Sequence, residues 1–409
     1  MADFGGADLD AFRADARAWL EANFPASLRQ NPDAITAVEQ GAAEASGDVA
    51  VWKERMGAKG WGVPTWPTQY GGGGLSRPEA KVLGEEMNRI GARNPIGGMG
   101  VIMFGPTLLE YGNETQKQTH IPPIVKGELR WCQGFSEPGA GSDLASLQTK
   151  AVDMGDHYLV SGSKIWTSGA HLADWCFCLV RTDTTKKHEG ISFLLIDMKS
   201  PGVEPRPILL INGTTPFCET FFTDVKVPKE NLVGPLNGGW TIAKRLLQHE
   251  RQGISGAGQL TPGAQAGAAP GPPLPELARD YIGLGEDGRL SDTDLRRRIT
   301  EHLMEAQAFQ LTGMRAAAET RSNSGPSAVS SVLKNVGSQV RQMRAELTVE
   351  VLGNQGVGWS GEAFTADEIG SMRAMLRSKS GTIAGGSQEI QNNIISKRIL
   401  GLPEVTQKG

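Results

Sequence analysis

Hydrophobic positions along the chain follow two periods, and the change from one to the other marks three regions. In "ADLDAFRADARAWLEANFP", Leu9, Phe12, Ala16, Trp19 and Leu20 recur at spacings of three and four. This predicts an amphipathic helix that Pro25 ends. "VWKERMGAKGWG" predicts a second helix stopped at Gly60, and "RPEAKVLGEEMNRIG" a third that ends at Gly91. From about 131 the pattern shortens. "DHYLVSGSKIWTSG", "DWCFCLVRTD", "GISFLLIDM" and "CETFFTDVKVP" are β-rich runs separated by Gly, Asp and Pro, a spacing that predicts a compact barrel or sandwich. No helical stretch intervenes, which argues against a parallel nucleotide-binding sheet. From about 241 the helical period returns. Trp240, Ala243, Leu246 and Leu247 form one stripe, and Val329, Val332, Val336, Val340, Met343, Leu347 and Val351 outline a long helix. Another helix is expected near Ser291, with Asp294 as its capping partner. Residues 259–290, rich in Gly, Pro and Ala, are expected to be an irregular insertion.

The predicted organisation is a helical region over 1–130, a β region over 131–240 and a helical region over 241–409. A chain of 409 residues has room for such units, each sharing a sizeable core. Lys plus Arg is 41 and Asp plus Glu is 45, so 41 − 45 gives −4. That balance gives no overall attraction to nucleic acid or anionic lipid. No leader with a basic start and an apolar core is visible, and no apolar run is long enough to span a bilayer. Cys132, Cys176, Cys178 and Cys218 are too few for a disulfide scaffold and lack metal-ligand spacing. The expectation is a cytoplasmic protein with buried, reduced thiols and no metal site.

Three stretches carry candidate chemistry. "GVGWSG", Gly356–Gly361, matches G-x-G-x-x-G but follows a helical pattern, so it is not a dinucleotide fingerprint. Gly353 and Gly356 instead predict a turn at a helix C-terminus. "WCQGFSEPGAGSDLASLQT", Trp131–Thr149, sets glycines among Ser136, Glu137, Ser142 and Asp143. Such a loop suits a phosphate or a heteroaromatic edge, or else a β-turn whose side chains satisfy their own backbone. "VSGSKIWTSGAHLADW" offers the indole of Trp166 beside Thr167 and Ser168. An indole with hydroxyl donors can flank a planar cofactor, though a core tryptophan on a strand explains the same residues. Near the C-terminus, "TIAGGSQEIQNNIISKRILGLP" has a Gly-Gly turn with no ionisable side chain between Lys379 and Glu389.

Taken in order, "SEPGAGSDLASLQT", "VSGSKIWTSGA", "HEGISFLLID", "VKVPKENLVG" and "GGSQEIQNNIISKRILGLP" resemble the acyl-CoA dehydrogenase family. The register extends from "GWGVPTWPTQYGG" to the C-terminus. The resemblance implies a fold that is mainly α with a central β-barrel: an N-terminal helical domain (1–130), a middle β-barrel domain (131–240) and a C-terminal four-helix bundle (241–409, with the insertion at 259–290). It implies FAD, oxidation of an acyl-CoA to the trans-2-enoyl-CoA, and an electron-transferring flavoprotein as acceptor. By motif match, Phe135 and Ser136 are expected along the flavin edge, with Gly141 and Ser142 toward the phosphates or the acyl-CoA. Trp166 and Ser168 are expected to flank the ring, and Ser387 and Glu389 to contact FAD. Gly353 falls where relatives carry a turn that meets a neighbouring subunit's FAD. Glu350 replaces a glutamine there, and its charge is expected to repel a pyrophosphate.

Many relatives place the catalytic glutamate where this chain has Gly385. Gly385 takes no proton, but its amide can donate to a thioester oxygen. Other branches place the base on the first helix of the C-terminal domain, before an arginine. "LLQHERQG" puts Glu250 and Arg251 there, so Glu250 is expected to be the base, with Arg251 holding down its pKa. His249 is a weaker candidate. Gly98, Gly100 and Gly105 lie in a segment that lines the acyl pocket in relatives, and small residues there imply a roomy site. The expected assembly is a homo-oligomer, dimer or tetramer, or a heterotetramer. The alternatives are a non-catalytic or half-site subunit of a heteromer, a DNA-binding relative, and an oxidase. "LRRRI", 295–299, is expected to be a solvated helix face.

Overall fold

The structure, a computed structural model, describes residues 6–39, 45–255, 272–320 and 329–403. The side chains of 6, 7, 30, 32, 33, 39, 250–255 and 317–320 lie outside that description. Two compact bodies divide the chain. The first comprises 1–208, 216–250 and 259–265, and the second 209–215, 251–258 and 266–409.

The first body begins with seven helices: α1 (Gly6–Asn23), α2 (Ala26–Gln30), α3 (Pro32–Glu39), α4 (Gly47–Lys59), α5 (Arg77–Arg89), α6 (Gly105–Tyr111) and α7 (Glu114–Val125). The predicted stripe of α1 is real. Ala16 and Leu20 are buried with Trp52, Met56, Leu83 and Met87, and Phe12 and Trp19 pack against them. α4 stops at Gly60, whose φ of +70° is the left-handed conformation that ends helices. α5 starts with a reciprocal capping box between Ser76 and Glu79. Its buried Glu86 joins it to α1, accepting from Arg13 and Arg17 as well as from Arg89 on its own helix.

Seven strands follow: β1 (Trp131–Gly134), β2 (Lys150–Asp153), β3 (His157–Ser168), β4 (Trp175–Arg181), β5 (Ile191–Asp197), β6 (Val203–Ile208) and β7 (Phe217–Pro228). They form one curled sheet, open like a half-barrel, in which β5 pairs with one edge of β4 while β1 and β2 lie along the other. β2, β3, β7 and β6 continue it antiparallel. The continuous apolar runs of β4 and β5 are explained by burial on both faces. Phe177, Leu179, Phe193 and Leu195 point to one core with Phe104, Ile124 and Trp131. Cys176, Cys178, Val180, Leu194 and Ile196 point to the other, beside Cys132 and Cys218. All four cysteines are free and buried, and burial pushes the Cys178 thiol well up. β1, β2 and β6 are short and were not visible as β-rich runs.

α8 (Gly239–Ser255) leaves the sheet, and the second body carries α9 (Leu274–Ile282), α10 (Thr293–Thr320), α11 (Val329–Leu352), α12 (Ala366–Ser378) and α13 (Gln388–Ile394). α9 corrects the expectation of an irregular 259–290 where the structure describes it, from 272 on; 259–271 lie outside the described residues. Pro273 caps it and Pro275 sits in its first turn, where proline costs no hydrogen bond. Leu274, Leu277 and Ala278 close over Leu295, Ile299, Leu347 and Val351. α10 is capped by Asp292, which accepts from Leu295 N at 2.9 Å, not by the pairing of Ser291 with Asp294. Asp294 instead holds Arg297. Among the described residues no helix is long and apolar enough to cross a membrane.

Candidate active site

In the first body the structure brings the loop after β1 against the end of β3. Ile165 N donates to Ser136 O at 2.8 Å. Beneath that contact, Lys164 is closed off from solvent on an inward position of β3. Its Nζ donates to Phe135 O at 3.1 Å and to Glu137 Oε1 at 2.7 Å. Glu137 also accepts from Gln148 N (2.6 Å) and Thr149 N (2.9 Å). Burial pushes this carboxyl up, but the charge of Lys164 and these donors outweigh burial and hold it below the usual carboxylate range. Sequence reasoning missed this pair. The signal was there: Lys164 occupies an inward position, where the alternation of β3 calls for an apolar residue.

One step beyond Lys164 the register of β3 shifts by a bulge between Lys164 and Thr167. Trp166 sits in that bulge at φ +61°, strained backbone for an aromatic L-residue. The bulge turns the ring outward: Trp166 is 53% exposed, held edge-on by Phe217 at 6.0 Å. This overturns the alternative of a core tryptophan on a strand. Thr167 beside it is buried and donates to Cys218 O at 2.7 Å, so its hydroxyl is not offered to a ligand, whereas Ser168 is half-buried. Phe135 has its side chain in the core, against Phe177 and Phe193, and its carbonyl on Lys164. Ser136 is half-buried, and Gly141 and Ser142 are exposed. Nothing lies within 4 Å of a Cβ built at Gly139 or Gly141. Further along the loop, Asp143 is satisfied locally by Ser146 and Lys187.

The glycines of 98–105 do not simply make room. A Cβ on Gly105 would meet Trp66 Cη2 at 2.0 Å, and one on Gly100 would meet Trp131 Cδ1 at 3.0 Å. Two of the three are therefore filled by indoles. Gly98 alone, at φ +78°, faces open space.

On α8, Arg245 grips Glu110 as a fork, with Nε to Oε2 and Nη2 to Oε1 both at 2.8 Å. His249 Nε2 lies 3.4 Å from Glu110 Oε1 but too poorly aligned for a hydrogen bond. Burial, with Arg245 nearby, lowers the His249 pKa. The neutral imidazole that this leaves is the proton-accepting form, and its Nε2 faces the Glu110–Arg245 pair. The backbone places Glu250 and Arg251 on α8, and their side chains lie outside the described residues.

In the second body, Gly385 (φ +65°) and Gly386 (φ +89°) form a left-handed turn before α13. Ser387 caps α13, accepting from Ile390 N. Its side chain also bonds Glu389, whose carboxyl is held down first by its own backbone amide and then by Ser387. The Ser387 hydroxyl is thus engaged in the first turn of its own helix, and Glu389 is exposed. Gly353, at φ +55°, ends α11 as expected of a C-terminal turn. About 28 Å of helix separates it from the end of α11 that meets the Gly385 turn. The expected repulsion by Glu350 is offset, because Arg298 takes that carboxylate with both guanidinium nitrogens, at 2.6 and 2.5 Å. Arg298 is accordingly not a solvated face residue, and neither are Leu295 and Ile299, which are core.

Three family models cover nearly the whole chain: the acyl-CoA dehydrogenase N-terminal domain over 7–128, the middle domain over 132–225 and the C-terminal domain over 276–400. The chain belongs to the acyl-CoA dehydrogenase family. Its similarity to the acyl-CoA dehydrogenase IpdE1 of Mycobacterium tuberculosis is 36% identity over 405 residues, 97% of this chain and 98% of the relative. Among solved structures it resembles the Tcur3481-Tcur3483 steroid ACAD, with TM-score 0.73 and 29% identity over 97% of this chain and 98% of that one. It also resembles the ChsE4-ChsE5 complex from Mycobacterium tuberculosis, with TM-score 0.72 and 28% identity over 99% and 100%. Acyl-CoA dehydrogenases are oxidoreductases of lipid metabolism and generally depend on FAD.

Proposed function

We propose that this protein α,β-dehydrogenates a bulky acyl-CoA thioester with FAD, using Glu250 as the base and an electron-transferring flavoprotein as acceptor. The observation that carries the reading is the turn at 385–386. Both residues are glycines in left-handed backbone, so the turn supplies amide donors and no proton acceptor. The remaining carboxylate at a family base position is Glu250 on α8.

The residues of the first body fit a flavin. Trp166 offers an exposed ring plane, Ser136 and Ser168 offer hydroxyls, and the open backbone of Gly139–Gly141 admits close approach. FAD supplies the hydride acceptor when bound. The chain's own residues do the rest. The Gly385 amide receives the thioester oxygen, which acidifies the α-carbon, and Glu250 removes the α-proton. Arg251 keeps that carboxylate ionised at rest. The neutralised Glu350 leaves the turn at Gly353 compatible with a neighbouring subunit's FAD diphosphate. A bulky acyl group is favoured by the similarity to a protein titled steroid ACAD.

A second reading, a subunit that needs a different partner chain, is favoured by the solved relatives titled as two-protein assemblies. One experiment separates the two. Flavin content and assembly mass are measured on the chain alone, then anaerobic bleaching of the flavin by a panel of acyl-CoAs, with Glu250→Gln beside wild type. One FAD per chain, bleaching by bulky acyl-CoAs and none with Glu250→Gln support the first reading. Flavin gained only with a second chain supports the other. Full bleaching by Glu250→Gln removes Glu250 from the base role.

A further inference from the structure

Behind the Gly385–Gly386 turn stands a buried cation that the chemistry above does not use. Lys334, on α11, is 2% exposed, and its ammonium donates to the carbonyl of Gly386. Gln391, on α13 and equally buried, donates its Nε2 to the carbonyl of Gly385 at 3.1 Å. α11 is the platform under this segment. Asn335 reaches Asn392 at 2.7 Å, and Ser338 backs Gly381.

In a trans peptide the C=O and the next N–H point in opposite directions, and no cis bond occurs among the described residues. Holding the two carbonyls toward α11 and Gln391 therefore holds the amides of Gly386 and Ser387 toward the opposite side. The amides of Gly385, Gly386 and Ser387 meet no acceptor among the described residues. An ammonium on a peptide carbonyl also draws density from that peptide and makes its N–H a stronger donor.

Lys334 has no carboxylate within ion-pair distance among the described residues. Burial, then Arg341, lowers its pKa, and Glu389 offsets this in part. A buried ammonium without a partner charge is costly, so packing alone does not explain it.

We propose that Lys334 is a positioning residue of the reaction. It fixes and polarises the Gly386 peptide, whose N–H is that of Ser387, while Gln391 fixes the Gly385 peptide, whose N–H is that of Gly386, so that these two amides join that of Gly385 around the thioester oxygen as negative charge grows there. This rests on the assignment of the acyl-CoA thioester to this turn.

The test reads the thioester carbonyl itself. Two 1-¹³C-labelled 3-thia-acyl-CoA probes, one straight-chain and one carrying a fused-ring group, cannot lose a β-hydrogen and so stay intact. Infrared difference spectra of each, bound to the flavin-loaded protein, report the C=O stretch. Wild type is expected to lower the stretch relative to free probe. Lys334→Met and, independently, Gln391→Met are expected to return it toward the free value with the probe still bound. They are also expected to slow flavin reduction about 10- to 100-fold, at a KM within about threefold of wild type. Lys334→Arg, which keeps a cationic donor, is expected to recover part of the shift. A wild-type shift retained in both methionine variants overturns the role of Lys334 and leaves the thioester assignment standing. Absence of any shift in wild type overturns both. If Lys334→Met does not fold, Gln391→Met carries the same decision.

Discussion

Lys164 Nζ lies 2.7 Å from Glu137 Oε1, and both side chains are closed off from solvent. The pair ties the strand that carries Trp166 to the loop that carries Ser136. Removing one partner strands the other charge in the core. Lys164→Met is expected to cost about 3 kcal/mol or more, measured by urea unfolding of the flavin-free chain. Lys164→Met with Glu137→Leu is expected to recover part of that loss. A single variant as stable as wild type would mean that the pair contributes nothing.

Acid stability has a second named source. Glu86 accepts from Arg17, Arg89 and Arg13 and is lowered to about 2, with burial opposing. A depressed carboxylate contributes stability that is present above its unfolded pKa and lost as pH falls through the folded one. The window therefore runs from the ordinary carboxylate range, about 4.3, down to about 2. Glu86→Gln is expected to be about 2 kcal/mol less stable at pH 7 and to show a flatter loss across that window. Parallel profiles for the two proteins would remove Glu86 from acid unfolding.

Trp166 separates stability from activity. Trp166→Gly relieves left-handed strain of about 1 kcal/mol but deletes the ring plane. Thermal unfolding is expected to stay near wild type while flavin reduction slows by at least an order of magnitude. A variant that unfolds early yet keeps its rate would assign the indole to packing instead.

The glycines of 98–105 predict opposite outcomes. Gly105→Ala drives a Cβ into Trp66 and is expected to destabilise by about 1–3 kcal/mol, whatever the acyl-CoA. Gly98→Leu meets open space but must adopt φ +78°, left-handed backbone that costs about 1–2 kcal/mol of stability. It is expected to raise KM for bulky acyl-CoAs more than for butyryl-CoA. Equal effects on both substrates would place Gly98 outside the acyl path.

Much of the fold was legible because burial is one-sided where the pattern is clean. α1, α4 and α5 each bury one stripe; α1 stops just before Pro25, and α4 and α5 at glycines in left-handed backbone. β3, β4, β5 and β7 are long enough to show as β-rich runs. β1 and β2 are four residues each, too short for a period to register, and they exist because β4 offers β1 an edge and β3 offers one to β2. α9 was hidden by its own prolines, which read as breakers until placed in a first turn. In the site, hydroxyls, glycines and the indole were legible as residue types. Lys164, Lys334 and Gln391 were not, because a buried polar side chain looks like a surface residue until its partners are known. For Lys334 and Gln391 those partners are backbone carbonyls, which no sequence pattern distinguishes; Lys164 also has the Glu137 carboxylate, and its inward place on β3 was the one signal. The glycines at 100 and 105 misled in the other direction, since a missing side chain is the same letter whether substrate or an indole fills the space.

Gly385 sits at φ +65°, and that single angle opposes any side chain at this position. Any side chain returned to 385 enters left-handed backbone at about 1–2 kcal/mol. It would also disturb a peptide whose carbonyl Gln391 already holds. A glutamate placed there by one substitution would arrive strained. The main chain itself thus favours glycine at 385: the angle that makes the turn resists any side chain there, whichever residue serves as base.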